Sequence, residues 1–193
     1  MTTSAENWSM EELSSVSIDD EKAGETIVDY LIEHGHTKIA EIGANLELSQ
    51  TARLRHNGYL NSLKKHGITP DERYYERARF SYDSAYRAMK KLLEKDIEIT
   101  AVYAISDVMA IGALRAILDK GLRVPEDISI TGFDGSTLAE YYNPKIVSIR
   151  QPHKDMAARS VELLFNMIDL HKGSCHEIIP FELTEGESVA RID

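Results

Sequence analysis

Residues 99–134, ITAVYAISDVMAIGALRAILDKGLRVPEDISITGFD, constrain the fold more than any other stretch. Residues 101–105 form a short apolar run with β-branched and aromatic members, the pattern of a strand buried on both faces. Ser106 or Asp107 follows where a helix N-cap belongs. Met109, Gly112, Ala113, Ala116 and Ile117 then recur at helical spacing. Gly121 stops that helix in the left-handed conformation that glycine adopts at little cost. Pro125 keeps the connection from being helical, and residues 128–133 form a second buried strand. Two parallel strands joined by a helix make a right-handed crossover. Asp107 and Asp134 both fall just past the carboxyl end of a strand, the edge where open α/β sheets bind ligands.

The rest of the chain repeats this alternation. Strands are predicted at 16–18, 39–43, 74–80, 146–149 and 178–183, and helices at 20–34, 51–66, 83–94 and 153–170. Residues 136–142 read as a turn or short helix, which Pro144 ends. In the 83–94 helix Tyr86, Met89 and Leu93 are expected inside. In the last helix Ala157, Val161, Leu164, Phe165 and Ile168 form an apolar stripe. About six strands and five helices in alternation predict a parallel, doubly wound, three-layer α/β sandwich.

The pattern S-D-V-M-A-I-G, then G-L-R-V-P-E-D-I-S, then G-F-D resembles the effector-binding core of LacI/GalR-family transcriptional repressors. The resemblance runs from about residue 17 to the C-terminus and implies one lobe of a periplasmic-binding-protein-like (type I) fold. It implies a nearly whole C-terminal lobe over 37–150 plus 178–184. The helix over 154–170 would belong to the N-terminal lobe, which is otherwise absent along with the DNA-binding helix-turn-helix. Residues 1–16 take no part. Residues 1–21 carry six acids and no Lys or Arg, so they read as an acidic solvated tail. Trp8, Met10 and Leu13 offer a short docking helix as the alternative.

The resemblance implies that Arg55, in the motif Arg55-His56-Asn57-Gly58-Tyr59, reaches the effector. A guanidinium fork suits vicinal hydroxyls or a carboxylate. The alternative is an ordinary surface arginine. Asp134 is expected to accept hydrogen bonds from ligand hydroxyls, with capping of 136–142 as its alternative. Ser106 and Asp107 match the family's pair at the helix start; capping is again the alternative. Phe80 stands where the family places an aromatic against the effector's flat face, and a core Phe is its alternative. Ser49 and Thr51 match positions whose side chains approach the ligand. Together with Gly43, these groups are expected along one crevice edge.

The net charge of −10 argues against a large nucleic-acid surface on this chain, so contact with a DNA operator belongs to the full-length family. The single cysteine, Cys175, allows no intrachain disulfide and fits a reducing cytoplasm. No apolar run approaches the roughly 20 residues that span a bilayer. Neither a phosphate loop nor a nucleophile motif is present, and the histidines lack zinc-site spacing, so no enzyme activity, cofactor or metal is expected. The expected function is sensing of a sugar or sugar-like effector by a homodimeric repressor module. A protein-interaction or dimerisation fragment, using the 153–170 helix as its apolar face, is the alternative. A small α/β enzyme is the weakest reading.

Overall fold

Strand order follows from where the chain reverses its winding. A computed structural model of the protein describes residues 14–170 and 175–192. Its larger unit comprises residues 20–150 and 182–192, built on a six-stranded sheet. The strands are β2 (Ile39–Gly43), β3 (Tyr75–Arg77), β4 (Ala101–Ala104), β5 (Ser129–Asp134), β6 (Val147–Arg150) and β8 (Glu182–Thr184). Their order is β3-β2-β4-β5-β6-β8, all parallel except β8, which runs antiparallel to β6. The chain leaves β2 toward β3 and returns past β2 to β4. The winding therefore switches direction between β2 and β4, and the carboxyl ends of those two strands form the edge outside which open α/β sheets bind ligands.

Five helices of this unit, α1 (Asp20–Glu33), α2 (Gln50–Lys65), α3 (Tyr82–Glu94), α4 (Asp107–Asp119) and α5 (Thr137–Tyr141), complete the layers. Helices α1 and α2 pack on each other, as do α3 and α4. Right-handed crossovers place α2 on one face and α3 and α4 on the other. Strands β2 and β4 are buried at every position, the mark of a sheet covered on both sides.

The smaller unit spans 14–19, 151–170 and 175–181 of the described residues. In it β1 (Ser15–Ser17) pairs in parallel with β7 (His176–Ile178), and α6 (His153–Leu170) packs on β1. Arg159 of α6 forms a bidentate ion pair with Glu177 of β7. Val161, Leu164, Phe165 and Ile168 of α6 are exposed.

Three expectations are corrected. The single strand over 178–183 is two, β7 and β8, in different sheets. Pro180 lies between them and has no N–H to carry a ladder onward. The strand over 74–80 shrinks to Tyr75–Arg77, preceded by a 3₁₀ turn at Glu72–Tyr74, and Phe80 lies beyond it. The inner face of α3 is Ala85, Ala88, Met89 and Leu92, with Tyr86 and Leu93 half-buried at its margin. Small residues win there because α3 and α4 touch closely: a Cβ on Gly112 of α4 would meet the carbonyl oxygen of Tyr82 at 2.2 Å. Among the described residues there are eight strands and six α-helices, against the six and five expected. The predicted tail or helix at Trp8, Met10 and Leu13 lies outside the described residues.

Gly112→Ala is expected to force α3 and α4 apart. Overpacking of this kind costs about 1–3 kcal/mol, read as a lower urea midpoint with an unchanged slope; an unchanged midpoint would show that the helices part freely.

Candidate functional site

Burial of a guanidinium dictates the chemistry of the crevice. Arg55 lies one turn and a half into α2 and is only 4% exposed, so each of its donor directions needs a partner. Its Nε donates to Asp20 Oδ1 at 2.7 Å, at the start of α1. Its Nη1 donates to the backbone carbonyl of Ile105 at 2.6 Å, just past β4. The same Nη1 stands 3.5 Å from Asp134 Oδ1 at the end of β5. Its Cζ lies 3.5 Å from the centroid of the Phe133 ring, a cation–π contact. Arg55 thus joins α1, α2, β4 and β5 at the switch point, with one edge of its fork facing Asp134.

Asp134 is the exposed member, with 32% of its side chain accessible. Its backbone has φ of +116°, an unusual value for a residue with a Cβ, and Gly135 follows at +65°. Such strain persists only where the surroundings hold it, and it tends to mark functional positions. Opposite Asp134 in the ladder stands Arg150 of β6.

Ser106 has the capping geometry offered as its alternative role, while Asp107, the first residue of α4, turns its carboxylate to other elements. Ser106 Oγ accepts from the backbone N–H of Met109, closing the start of α4. Asp107 is 1% exposed, and both its oxygens are engaged inside. Oδ2 accepts from the backbone N–H of Ser136 at 2.6 Å and Oδ1 from the Ser148 hydroxyl at 2.6 Å. Burial outweighs these bonds and pushes the Asp107 carboxyl above the usual aspartate range. Asp107 therefore holds the turn after Asp134, and Ser136 rather than Asp134 caps α5. Ser49 caps α2 through a bond from the N–H of Ala52, and Thr51 is half-buried beside it. Phe80 is 48% exposed, which excludes the core alternative. Direct contacts join Arg55 to Asp20, Ile105, Phe133 and Asp134. Topology alone brings Ser49, Thr51, Phe80 and the buried Gly43 to the same sheet edge.

Sequence reasoning missed Asp20, Phe133, Ser148 and a buried pair, Glu41 and His56. The signal for Glu41 was legible: an acid inside the otherwise apolar strand Ile-Ala-Glu-Ile-Gly. Asp20 and Ser148 depend on contacts 35 or more residues apart along the chain, Phe133 on lying beneath the guanidinium, and His56 on its contact with Glu41. Among the described residues no cluster of three His, Cys, Asp or Glu could hold a metal ion.

The doubly wound sheet thus brings a cationic and an acidic side chain face to face at the edge where sheets of this class bind ligands. The chain belongs to the periplasmic binding protein-like domain family, whose model matches residues 28–189. Its curated relatives are LacI-family regulators. It is 41% identical over 179 residues to the HTH-type transcriptional regulator MalR of Clostridium butyricum, spanning 93% of this chain and 53% of that protein. It is 36% identical over 173 residues to the repressor CytR of Escherichia coli K12, spanning 89% of this chain and 50% of that one. Among solved structures, a transcriptional regulator CelR–cellobiose complex superposes with a TM-score of 0.89 at 33% identity, covering 94% of this chain and 56% of that chain. A LacI-family regulator from Enterococcus faecium with bound ribose superposes with a TM-score of 0.87 at 27% identity, covering 96% and 69%. The chain spans about half the length of the curated relatives it matches. These relatives are transcriptional regulators, not enzymes.

Asp107→Ala would strand two donors, the Ser136 N–H and the Ser148 hydroxyl, at about 1–3 kcal/mol each. Asp107→Asn should remove a pH dependence whose sign is set by burial. A carboxyl raised in the folded state contributes stability at acid pH that fades as pH rises through its folded-state value. The stability of wild type relative to Asp107→Asn is thus expected to fall as pH rises, by urea unfolding across the acid range; a rising difference would show that the hydrogen bonds from Ser136 and Ser148 outweigh burial.

Proposed function

We propose that this chain is the effector-sensing part of a LacI-type transcriptional repressor and that its ligand is a sugar or sugar-like molecule. The observation that carries the reading is the Arg55–Asp134 pair at the switch-point edge. A charged donor fork and a charged acceptor side by side suit vicinal hydroxyls, which both donate and accept. Phe80, exposed at the same edge, supplies an aromatic surface for the apolar face of a sugar ring. The cellobiose and ribose named with two similar structures support this class of ligand. Ser49 and Thr51 are the remaining proposed contacts; Ser106 and Asp107 act behind them by shaping the loops.

The smaller unit, β1, β7 and α6, belongs on this reading to a second lobe, with 154–170 as part of it, while the larger unit, 20–150 with 182–192, forms one lobe. On this reading effector binding shifts a homodimer between DNA-binding and non-binding states, with the operator read by a separate head in the cytoplasm. The dimerisation reading keeps one specific observation in its favour. Val161, Leu164, Phe165 and Ile168 of α6 are each more than half exposed, an apolar stripe that favours a protein partner. No helix among the described residues is long and apolar enough to cross a membrane.

Titration of ¹⁵N-labelled protein with millimolar ribose and with cellobiose is expected to move resonances of Arg55, Phe80 and Gly135, and Asp134→Asn is expected to abolish those changes. Shifts confined to other surfaces would refute the sugar reading. Asp134→Gly is expected to relieve backbone strain of about 1–3 kcal/mol, raising the unfolding midpoint while removing the ligand response. Phe165→Glu is expected to lower the apparent mass by size exclusion while leaving the sugar-induced shifts intact; loss of both together would favour the interaction-only reading.

A further inference from the structure

Glu41 stands at the centre of β2 with no exposed surface, on a strand whose other members are apolar or glycine. An isolated carboxylate there would cost several kcal/mol. Its Oε2 meets His56 Nδ1 at 2.6 Å. Its Oε1 is buried without a hydrogen-bond partner. Among the described residues His56 is the one hydrogen-bond partner of the Glu41 side chain, so a negative charge there is met at His56, and the alternative is a proton held on the carboxyl itself.

The surroundings fix this pair in place. His56 packs edge-on against Tyr75 of β3 at 5.1 Å and stacks on Tyr59 of α2 at 6.2 Å; Tyr59 in turn stacks on Tyr103 of β4 at 6.4 Å. Glu41 shares a lateral row of the sheet with Tyr75, Tyr103 and Thr131, so these side chains share its face. The Tyr103 hydroxyl and Thr131 Oγ1 are also buried without partners. One turn beyond His56, Tyr59 donates to the carbonyl of Ile39 at 2.9 Å. Two polar bonds, two residues apart on β2, thus stitch α2 to the sheet. His56 is the residue next to Arg55.

We infer that Glu41 and His56 share one buried proton and are positioning residues for Arg55, so that the setting of α2 over the crevice depends on pH. The inference rests on the reading of Arg55 as a ligand-facing group, but its test uses the protein without ligand. Failure of the sugar titration and failure of this test are therefore separate results.

The charges around the pair are consistent with such sharing. Burial opposes the imidazolium, yet the hydrogen bond and charge of Glu41 outweigh it and raise the His56 value. Burial raises Glu41, with His56 acting in the opposite sense. The facing phenols of Tyr59, Tyr75 and Tyr103 are raised, chiefly by burial and further by Glu41, Tyr75 to about 12, so they stay neutral in the range where His56 titrates. Arg55 on α2 and Arg77 on β3 are the nearby permanent cations. A histidine raised in the folded state contributes stability at pH below its ordinary value, and that contribution is lost as pH rises through the folded-state value. Above that point Glu41 is left as a buried carboxylate without its counter-charge.

The test follows the His56 Cε1–H and Arg55 Nε–H resonances through a pH titration of wild type and Glu41→Gln. In wild type His56 is expected to titrate above the ordinary histidine value, with the Arg55 resonance moving at the same midpoint. In Glu41→Gln the His56 midpoint is expected to fall and the Arg55 response to disappear. A wild-type Arg55 resonance that stays flat while His56 titrates, or a His56 midpoint that Glu41→Gln leaves unmoved, overturns the inference. Should Glu41→Gln not fold, the double variant Glu41→Leu, His56→Leu removes both charges together, a change that buried pairs often tolerate. It is expected to fold and to exchange its Arg55 Nε–H faster than wild type; unchanged exchange overturns the inference equally.

Discussion

A guanidinium cannot be buried without partners, and the partners of Arg55 come from three elements besides its own helix. Asp20 opens α1, Ile105 follows β4, and Phe133 and Asp134 close β5. An unpaired charge at 4% exposure would be strongly destabilising. The same contacts that make the arginine affordable also aim it. Its fork is held at the point where the sheet reverses its winding, with Asp134 alongside. Structural necessity therefore fixes the side chain on which the proposed ligand contact rests.

The layers behind this point are arranged to keep it still. Asp107 spends both oxygens on the turn that follows Asp134, and Ser148 passes its hydroxyl between Asp107 and the N–H of Gly135. That network supports a backbone at φ of +116°, which an isolated turn would relax. On the other side, Glu41 and His56 fasten α2 to β2 one residue away from Arg55. Both supports use buried carboxylates, and both carboxylates are raised by burial. Asp107 and Glu41 thus act as fasteners behind the strand ends that carry Asp134 and the helix that carries Arg55.

Much of the architecture was legible in the sequence, because buried strands and capped helices carry strong local signals. The run Ile39–Gly43 and the helix His153–Leu170 appear as expected. The misreadings have local causes too. Pro180 cuts one apolar run into strands of two separate sheets, and a run of β-branched and apolar residues does not report which sheet it joins. In α3 the large side chains of Tyr86 and Leu93 outweigh Ala85 and Ala88 in the sequence pattern, while the close approach at Gly112 that favours the alanines is invisible without a partner helix; Met89 is buried as expected. At the site, motif position correctly brought Arg55 and Asp134 to one edge. It could not separate the inward, bond-saturated Asp107 from the outward Asp134, since both follow a strand and precede a helix. That distinction lies in contacts such as Ser148 to Asp107, 41 residues apart.

The central claim is that Arg55 is preorganised: its guanidinium is fixed before any ligand arrives. The most direct measurement is the ¹⁵N relaxation order parameter of the Arg55 Nε–H bond in the ligand-free protein. The account predicts a value near that of rigid backbone, about 0.85. A value below about 0.6, the range of freely moving groups, would mean that the arginine is not held by Asp20, Ile105 and Phe133 and would contradict the account.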